Sequence, residues 1–124
     1  MATLTPTLTL ASTDVSANET LNISATDALE VLGQAYNFQV VATTTGVVFA
    51  AAANYSKSYV FLKNTSSTAA EIMTIEKADS GDEYFTLAPG EFAFFPWASE
   101  VDLALDTASG SPVLEVRIWQ AAAA

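Results

Sequence analysis

The chain has 124 residues, the size of one ordinary domain, and its 14 carboxylates outnumber four Lys and Arg residues to give a net charge of −10. So few cations exclude duplex nucleic acid and anionic membrane surfaces as main partners, because both are bound through Lys and Arg. The sequence contains no Cys and no His, which excludes a disulfide framework, a Ser-His-Asp triad and the usual zinc sites. No apolar run approaches the roughly 20 residues of a membrane-spanning helix. No basic segment precedes an apolar stretch at the N-terminus, so we expect a soluble protein without a secretory signal.

The N-terminal segment, residues 3–12, alternates Thr and Leu with the period of two that is typical of a half-buried strand. Pro6 lies inside this pattern and cannot donate a backbone hydrogen bond, which favours an edge strand or an arm that lies on another surface. We therefore predict that residues 1–12 form an arm suited to strand addition on a neighbour. Its apolar side chains are expected at a subunit interface: Leu4, Leu8 and Leu10.

The remaining segments are rich in Val, Thr, Phe and Tyr, with turn residues between them. Residues 26–33 fit either a short helix ending at Gly33 or a strand, and the alanines before Asn54 could wind into a helical turn. Strand patterns otherwise recur at intervals of roughly 8–12 residues. We predict one all-β domain over residues 1–124, a two-sheet β-sandwich or jelly roll of about eight to ten strands. The tail, residues 121–124, receives no role.

The segment LAPGEFAFFPW, residues 87–97, places four large aromatic residues directly after a Pro-Gly turn. We predict that residues 84–87 and 91–95 pair as one antiparallel hairpin around that turn. On a strand, Phe92 and Phe94 share one face, whereas Phe95 and Trp97 point the other way. One face must pack the core, and the other presents Phe95 and Trp97 to a second sheet, to a partner chain or to a sugar ring.

Three roles for the aromatic strand remain open: filling of the core on both faces, contact with a protein partner, and a platform on which a sugar ring stacks. Aromatic residues are enriched at the centres of protein interfaces, because they bury much area for little rotamer entropy. We therefore expect a homo-oligomer, a trimer, with Phe95 and Trp97 at or beside the subunit contact. The residues named for the sugar platform are Tyr55, Tyr59, Trp97 and Trp119.

Carboxylates offer two further possibilities. Glu100 and Asp102 lie two residues apart, but a glycosidase needs two carboxyl groups held across a cleft. The acidic turn from Asp79 to Glu83 has the hard oxygen ligands that Ca²⁺ prefers, without the regular spacing of an EF-hand loop. Acids in loops are commonly only solvated, so we predict no catalytic residue, no metal site and no cofactor. Binding of calcium by the acidic turn stays open.

The order of segments from residue 53 onward resembles a pattern in small structural proteins of tailed bacteriophages. A short Ala-Asn turn with a basic residue leads into a strand that ends in Lys-Asn-Thr-Ser, ANYSKSYVFLKNTSS. The strand EIMTIEK, the corner LAPGE and a final strand VLEVRIW follow, so that the resemblance covers residues 53–119. The Thr-Leu strand and the acidic balance are also similar to those of marine phage virion proteins.

The resemblance implies a compact β-sandwich or jelly roll without enzymatic activity, which works as a symmetric oligomer, often a trimer. Proteins of this kind are capsid decoration (cement) proteins or small components of the tail and baseplate. We therefore expect a virion protein that binds the major capsid protein, or another virion protein, on the outer capsid surface and stabilises the shell. The alternative is a carbohydrate-binding or receptor-binding β-sandwich module of a phage tail.

Overall fold

The computed structural model describes residues 2–13 and 21–122. This part of the chain contains eleven strands, one 3₁₀ turn at Ala52–Asn54, and no helix that has the length and apolar character needed to cross a membrane. The strands are β1 Ala2–Leu4, β2 Thr7–Ser12, β3 Leu21–Thr26, β4 Leu29–Val41, β5 Val47–Ala50, β6 Ser58–Asn64, β7 Met73–Lys77, β8 Glu83–Leu87, β9 Phe92–Trp97, β10 Leu103–Thr107 and β11 Val113–Ala121. The prediction of an all-β fold is confirmed.

Two antiparallel sheets form a sandwich. The larger sheet has the strand order β1-β4-β11-β6-β9, and the smaller has the order β5-β10-β7-β8. Their inner faces share one apolar core, because the fully buried side chains come from both sheets: Leu62, Leu114 and Ile118 from the larger, and Met73, Ile75 and Leu105 from the smaller. Strands β2 and β3 form a separate two-stranded sheet, which we call the hairpin.

Strand β6 shows how the sequence separates the two faces of the larger sheet. Its even-numbered residues, from Ser58 to Asn64, are buried, whereas Tyr59, Phe61 and Lys63 lie on the outer side. This alternation follows from the two-residue period of a strand. Because β6 lies between β11 and β9, the side chains on its outer side stand in the middle of the outer face.

The hairpin predicted around Pro89 and Gly90 does not form. Strand β8 pairs with β7 in the smaller sheet, and β9 pairs with β6 in the larger one. The turn chemistry was identified correctly, since Gly90 has a φ of 86°, which favours glycine. The corner crosses between sheets because it is fastened to the end of β6: the Gly90 N–H donates to the Asn64 carbonyl at 2.9 Å, and the Asn64 N–H donates to the Glu91 carbonyl at 3.0 Å.

Two other predicted segments also belong to the fold. Residues 29–33 are the start of strand β4 rather than a helix, while the predicted helical turn is present as the 3₁₀ turn. The first two residues of the predicted tail belong to the fold, because Ala121 ends β11 opposite Val31 and the Ala122 N–H donates to the Glu30 carbonyl at 2.9 Å. Residues 123–124 lie outside the described part of the chain.

The predicted arm is divided at Pro6 into two strands that both pair within the same chain. Strand β1 runs antiparallel to β4, with Leu4 opposite Leu29. Strand β2 runs antiparallel to β3. Strand addition to a neighbour is therefore not needed to order either strand.

Candidate functional site

The two aromatic residues predicted to face a partner lie inside the sandwich. Trp97 is 6% exposed and Phe95 is half-buried against the core. Their register explains this orientation, because β9 places Phe95 opposite the buried Val60 and Trp97 opposite the buried Ser58. The Trp97 indole N–H donates to the Val101 carbonyl at 3.2 Å. Phe95 and Trp97 thus face the second sheet, which was one of the open alternatives, and do not lie at a subunit contact. The outer side of β9 carries Phe92 and Phe94.

The outer side of the larger sheet holds a cluster that we call the aromatic face. Its rings follow one another across three neighbouring strands, with centroid separations of 6.2 Å for Phe61–Phe92, 6.4 Å for Tyr59–Phe94 and 6.5 Å for Phe94–Trp119. Phe92 is 61% exposed and Phe94 is 39% exposed. The members are Tyr59, Phe61, Phe92, Phe94 and Trp119.

The strand register brings these residues together. Trp119 of β11 stands opposite Tyr59 of β6, and Phe61 of β6 stands opposite Phe94 of β9. Cross-strand aromatic pairs of this kind stabilise a sheet by roughly 0.2–1 kcal/mol each. The pairs therefore fix the shape of the aromatic face, but they leave the outer surfaces of the rings uncovered.

The aromatic face also gathers most of the positive charge of the chain. The Lys57 ammonium lies 5.6 Å from the centre of the Tyr59 ring, Lys63 is exposed on the outer side of β6, and the Arg117 Nε donates to the Glu115 carboxylate at 2.9 Å. These are three of the four cationic residues in a chain whose net charge is −10. The aromatic face is therefore the place where an acidic partner meets the least repulsion.

A groove of about 490 Å³ runs between the aromatic face and the base of the hairpin. One wall consists of Phe61, Phe92 and Phe94, and the other includes Pro6 and Leu8. The base of the hairpin is fixed by hydrogen bonds to the Pro6 carbonyl, from the Thr26 hydroxyl at 3.1 Å and from the Asp27 N–H at 3.4 Å. The groove is thus a shaped feature of the fold and not only a flat apolar surface.

The hairpin carries its own uncovered apolar side, which we call the hairpin side. Leu10 stands opposite Ile23, and Leu8 lies two residues before Leu10 on the same side of β2. The three side chains are 48% exposed for Leu8, 45% for Leu10 and 48% for Ile23. Of the three leucines predicted at an interface, Leu8 and Leu10 are thus free to make one, whereas Leu4 is half-buried in β1 beside β4.

The four residues named for a sugar platform are divided between two places. Tyr59 and Trp119 belong to the aromatic face, whereas Trp97 is buried and its ring centre lies 5.7 Å from that of Tyr55. Burial, followed by the effect of the neighbouring Tyr36, raises the pKa of the Tyr55 phenol. Tyr55 and Trp97 therefore belong to the packing beneath the sheet and not to a stacking surface.

In the part of the chain that the structure describes, no three acidic, His or Cys side chains form a group that could hold a metal ion. In the acidic turn, Asp79 forms an ion pair with Lys77 at 3.7 Å, and Asp82 accepts a hydrogen bond from Ser80 at 3.0 Å. Asp102 accepts the Ala52 N–H at 2.7 Å, which fixes the start of the 3₁₀ turn.

Glu76, on the smaller sheet, lies close to two other carboxylates, Asp106 and Glu83. Burial first, and then Asp106 and Glu83, raise its pKa. The pKa of Glu76 is higher in the folded state than in the unfolded state, so its charged form destabilises the fold. This destabilisation is fully present at neutral pH and is relieved as the pH falls through the folded-state pKa. We expect Glu76→Gln to raise the free energy of unfolding at pH 7 by about 0.2–1 kcal/mol.

Urea unfolding between pH 4 and pH 7 checks this expectation, and the difference between Glu76→Gln and the wild type should shrink as the pH falls. Glu100→Gln is the matched control, because Glu100 is exposed in a loop. An equal change in both variants, or a difference that does not depend on pH, would contradict the assignment.

Comparisons with known proteins relate the chain to a pilus protein by fold. No family model matches the sequence, and no curated protein matches it. A solved structure of Bacillus endospore appendages, described as a novel family of disulfide-linked pili, is similar with a TM-score of 0.51. The two chains are 12% identical, and the match covers 76% of this chain and 91% of the other. At this level of identity, the similarity shows a shared fold.

Proposed function

We propose that this chain is a structural protein without enzymatic activity: a capsid decoration protein that binds the outer surface of a tailed-phage virion and stabilises the shell. The observation that carries the proposal is the aromatic face, which is exposed beside a groove and is flanked by most of the cations of the chain. A protein with this role needs a rigid surface and repeated copies rather than an active site.

The size and chemistry of the aromatic face support a protein partner. Exposed apolar clusters of this kind mark interaction sites or aggregation liabilities in soluble proteins. Tyr, Trp and Phe are also the residues that concentrate at the centres of interfaces. A cationic rim around apolar rings adds selectivity for an acidic surface, because complementary charge favours the correct partner and speeds association.

The fold similarity supports an assembled structural protein in a general way. The neighbour is a pilus protein, and its pili are described as disulfide-linked. The present chain contains no Cys, so disulfide links cannot hold its copies together. Apolar burial at the aromatic face would supply about 25 cal/mol for each Å² removed from water, before the entropic cost of association.

The proposed virion location rests on the similarity of residues 53–119 to small structural proteins of tailed phages. The charge of the chain is consistent with a place outside the shell, because a protein with a net charge of −10 would be repelled by packaged DNA. We propose the major capsid protein, or another virion protein, as the binding partner.

The test uses particles of the phage whose genome encodes this chain. Mass spectrometry of density-purified particles should detect the chain, and cryo-electron microscopy should place a sandwich of 13.0 kDa on the outside of the shell. For particles that lack the chain, we expect purified wild-type protein to rebind and Phe94→Ser to bind at least about tenfold more weakly. Thr86→Ser, an exposed change on the other sheet, is the matched control. Absence of the chain from purified particles would refute the location.

A second function, the carbohydrate-binding or receptor-binding module of a phage tail, is favoured by one observation. Tyr59 and Trp119 lie opposite each other on the outer side of the sheet, where an aromatic pair can stack against a sugar ring. Binding of the purified wild-type protein to a glycan array, lost in Trp119→Ala, would favour this function. Loss of particle binding in Phe94→Ser without any glycan signal would favour the decoration protein.

A further inference from the structure

We propose that the aromatic face of one copy of this chain receives the hairpin of a second copy, which lies along the groove and covers both apolar surfaces at once. This inference rests on the proposed function in treating the aromatic face as a protein interface, and it names what occupies that interface: residues of β2 and β3 from another molecule of the same chain. Phe94→Ser would then weaken binding to particles through loss of the linked copies and their avidity.

Among the described residues, the apolar side chains of the hairpin are left about half exposed. Strands β2 and β3 form a sheet of two strands only, within the residues that the structure describes. A two-stranded hairpin is marginally stable in water unless it packs on something else. Leu8, Leu10 and Ile23 nevertheless remain about half exposed. A second apolar surface that docks on these three side chains would stabilise the hairpin.

The aromatic face has the complementary shape and chemistry. Its rings present an apolar wall, and Leu8 of the same chain lines the groove across from Phe61 and Phe92. A second hairpin that enters this groove would place branched aliphatic side chains directly on the rings. The interface would bury branched aliphatic side chains against flat rings, which gives close packing without unpaired polar groups.

The distribution of charge favours contact between a hairpin and an aromatic face over contact between two aromatic faces. Contact between two aromatic faces would bring Lys57, Lys63 and Arg117 of each copy together, and such like-charge contact is unfavourable. The strands of the hairpin contain no charged residue, and residues 7–26 as a whole contain two carboxylates and no cation. Docking of the hairpin on the aromatic face therefore avoids the repulsion between cations. It also brings the acidic chain of a second copy to the cationic rim.

The pairing is heterologous, because one copy contributes the hairpin side and the other contributes the aromatic face. Each copy then docks its hairpin on one neighbour and binds the hairpin of another on its aromatic face, so the contacts can close into a ring. The predicted trimer is one such ring. Pairing of two hairpins with each other would leave every aromatic face exposed, which is the less favourable outcome.

The test is a complementation experiment with two variants of the full chain. The hairpin variant carries Leu8→Ser, Leu10→Ser and Ile23→Ser, and the face variant carries Phe92→Ser and Phe94→Ser. We expect each variant alone to self-associate at least about tenfold more weakly than the wild type, as seen by sedimentation velocity at moderate salt. An equimolar mixture should form a complex of two chains, because the intact hairpin of the face variant can dock on the intact face of the hairpin variant.

The other outcomes each overturn the inference. Self-association of the hairpin variant alone would indicate contact between two aromatic faces, and self-association of the face variant alone would indicate contact between two hairpins. Absence of any complex in the mixture would exclude the cross-contact. Circular dichroism of both variants is the folding control, and all five positions are exposed. Should either set of changes disturb the fold, the single variants Leu10→Ser and Phe92→Ser replace them.

This experiment and the particle experiment can fail independently. The mixing test needs no virus particle, so a wild-type chain that is found on particles but stays monomeric in solution would refute the hairpin contact and leave the proposed function intact. A chain that complements as expected but is absent from particles would refute the virion location and leave the hairpin contact intact.

Discussion

Trp97→Ala is expected to lower the free energy of unfolding by about 3–5 kcal/mol. Trp97 is 6% exposed, and its ring packs against Tyr55 with a centroid separation of 5.7 Å. Its removal would leave a large cavity between the sheets, because the surrounding strands are held in register and can close only partly. The change would also remove the hydrogen bond from the indole N–H to the Val101 carbonyl. Urea unfolding at a protein concentration where the chain is monomeric measures the effect.

The matched control is Phe92→Ala on the same strand. Phe92 is 61% exposed on the opposite side of β9, so we expect a change of about 0.5 kcal/mol or less. Its effect should appear in self-association instead. A large loss of stability in Phe92→Ala together with a small one in Trp97→Ala would mean that the two sides of the strand are assigned the wrong way round.

Asn64→Leu is expected to destabilise the fold by about 3 kcal/mol or more, because it removes three hydrogen bonds to backbone groups, one of them buried and two partly buried. The fully buried Asn64 amide donates to the carbonyls of Glu71 at 2.9 Å and Leu87 at 3.0 Å. Its side-chain oxygen accepts the Ser66 N–H at 3.0 Å. Leucine has a similar volume but satisfies none of these groups. Thermal and urea unfolding should both show the loss.

Asn37→Leu is the control for this prediction, because Asn37 is exposed on strand β4 of the same sheet. We expect a change within about 0.5 kcal/mol. Asn64→Asp is a second informative variant, since a carboxylate can accept the Ser66 N–H but cannot donate to the two carbonyls. Wild-type stability in Asn64→Asp at pH 7 would refute the role of the amide as a donor that joins β6 to the corner between the sheets.

The observed orientation of β9 decides which residues are available for assembly. Interface variants designed on Phe95 or Trp97 would damage the core, and their loss of binding would report unfolding. Variants on Phe92 and Phe94 avoid this problem because both side chains already face solvent. The same reasoning applies to the hairpin side, where Leu8 and Leu10 are suitable positions and the half-buried Leu4 is not.

The sequence by itself determined the all-β class, the sites of the turns and the grouping of residues that share a side of each strand. These properties are local. A period of two places Phe92 with Phe94 and Phe95 with Trp97 in any strand, Gly90 permits a tight corner with a φ of 86°, and the alanines before Asn54 form the short turn that their composition indicated.

Only the tertiary structure decided which side of each strand faces inward and which strands become neighbours. Both sides of β9 are apolar, so alternation could not choose between them, and the choice follows from its pairing with β6, whose inner residues Val60 and Ser58 are buried. In the same way, the Pro-Gly corner permits either a hairpin or a crossing between sheets. Hydrogen bonds from the corner to Asn64, more than 20 residues earlier in the chain, select the crossing. Strand pairing of this kind depends on contacts between distant segments, which local sequence patterns do not encode.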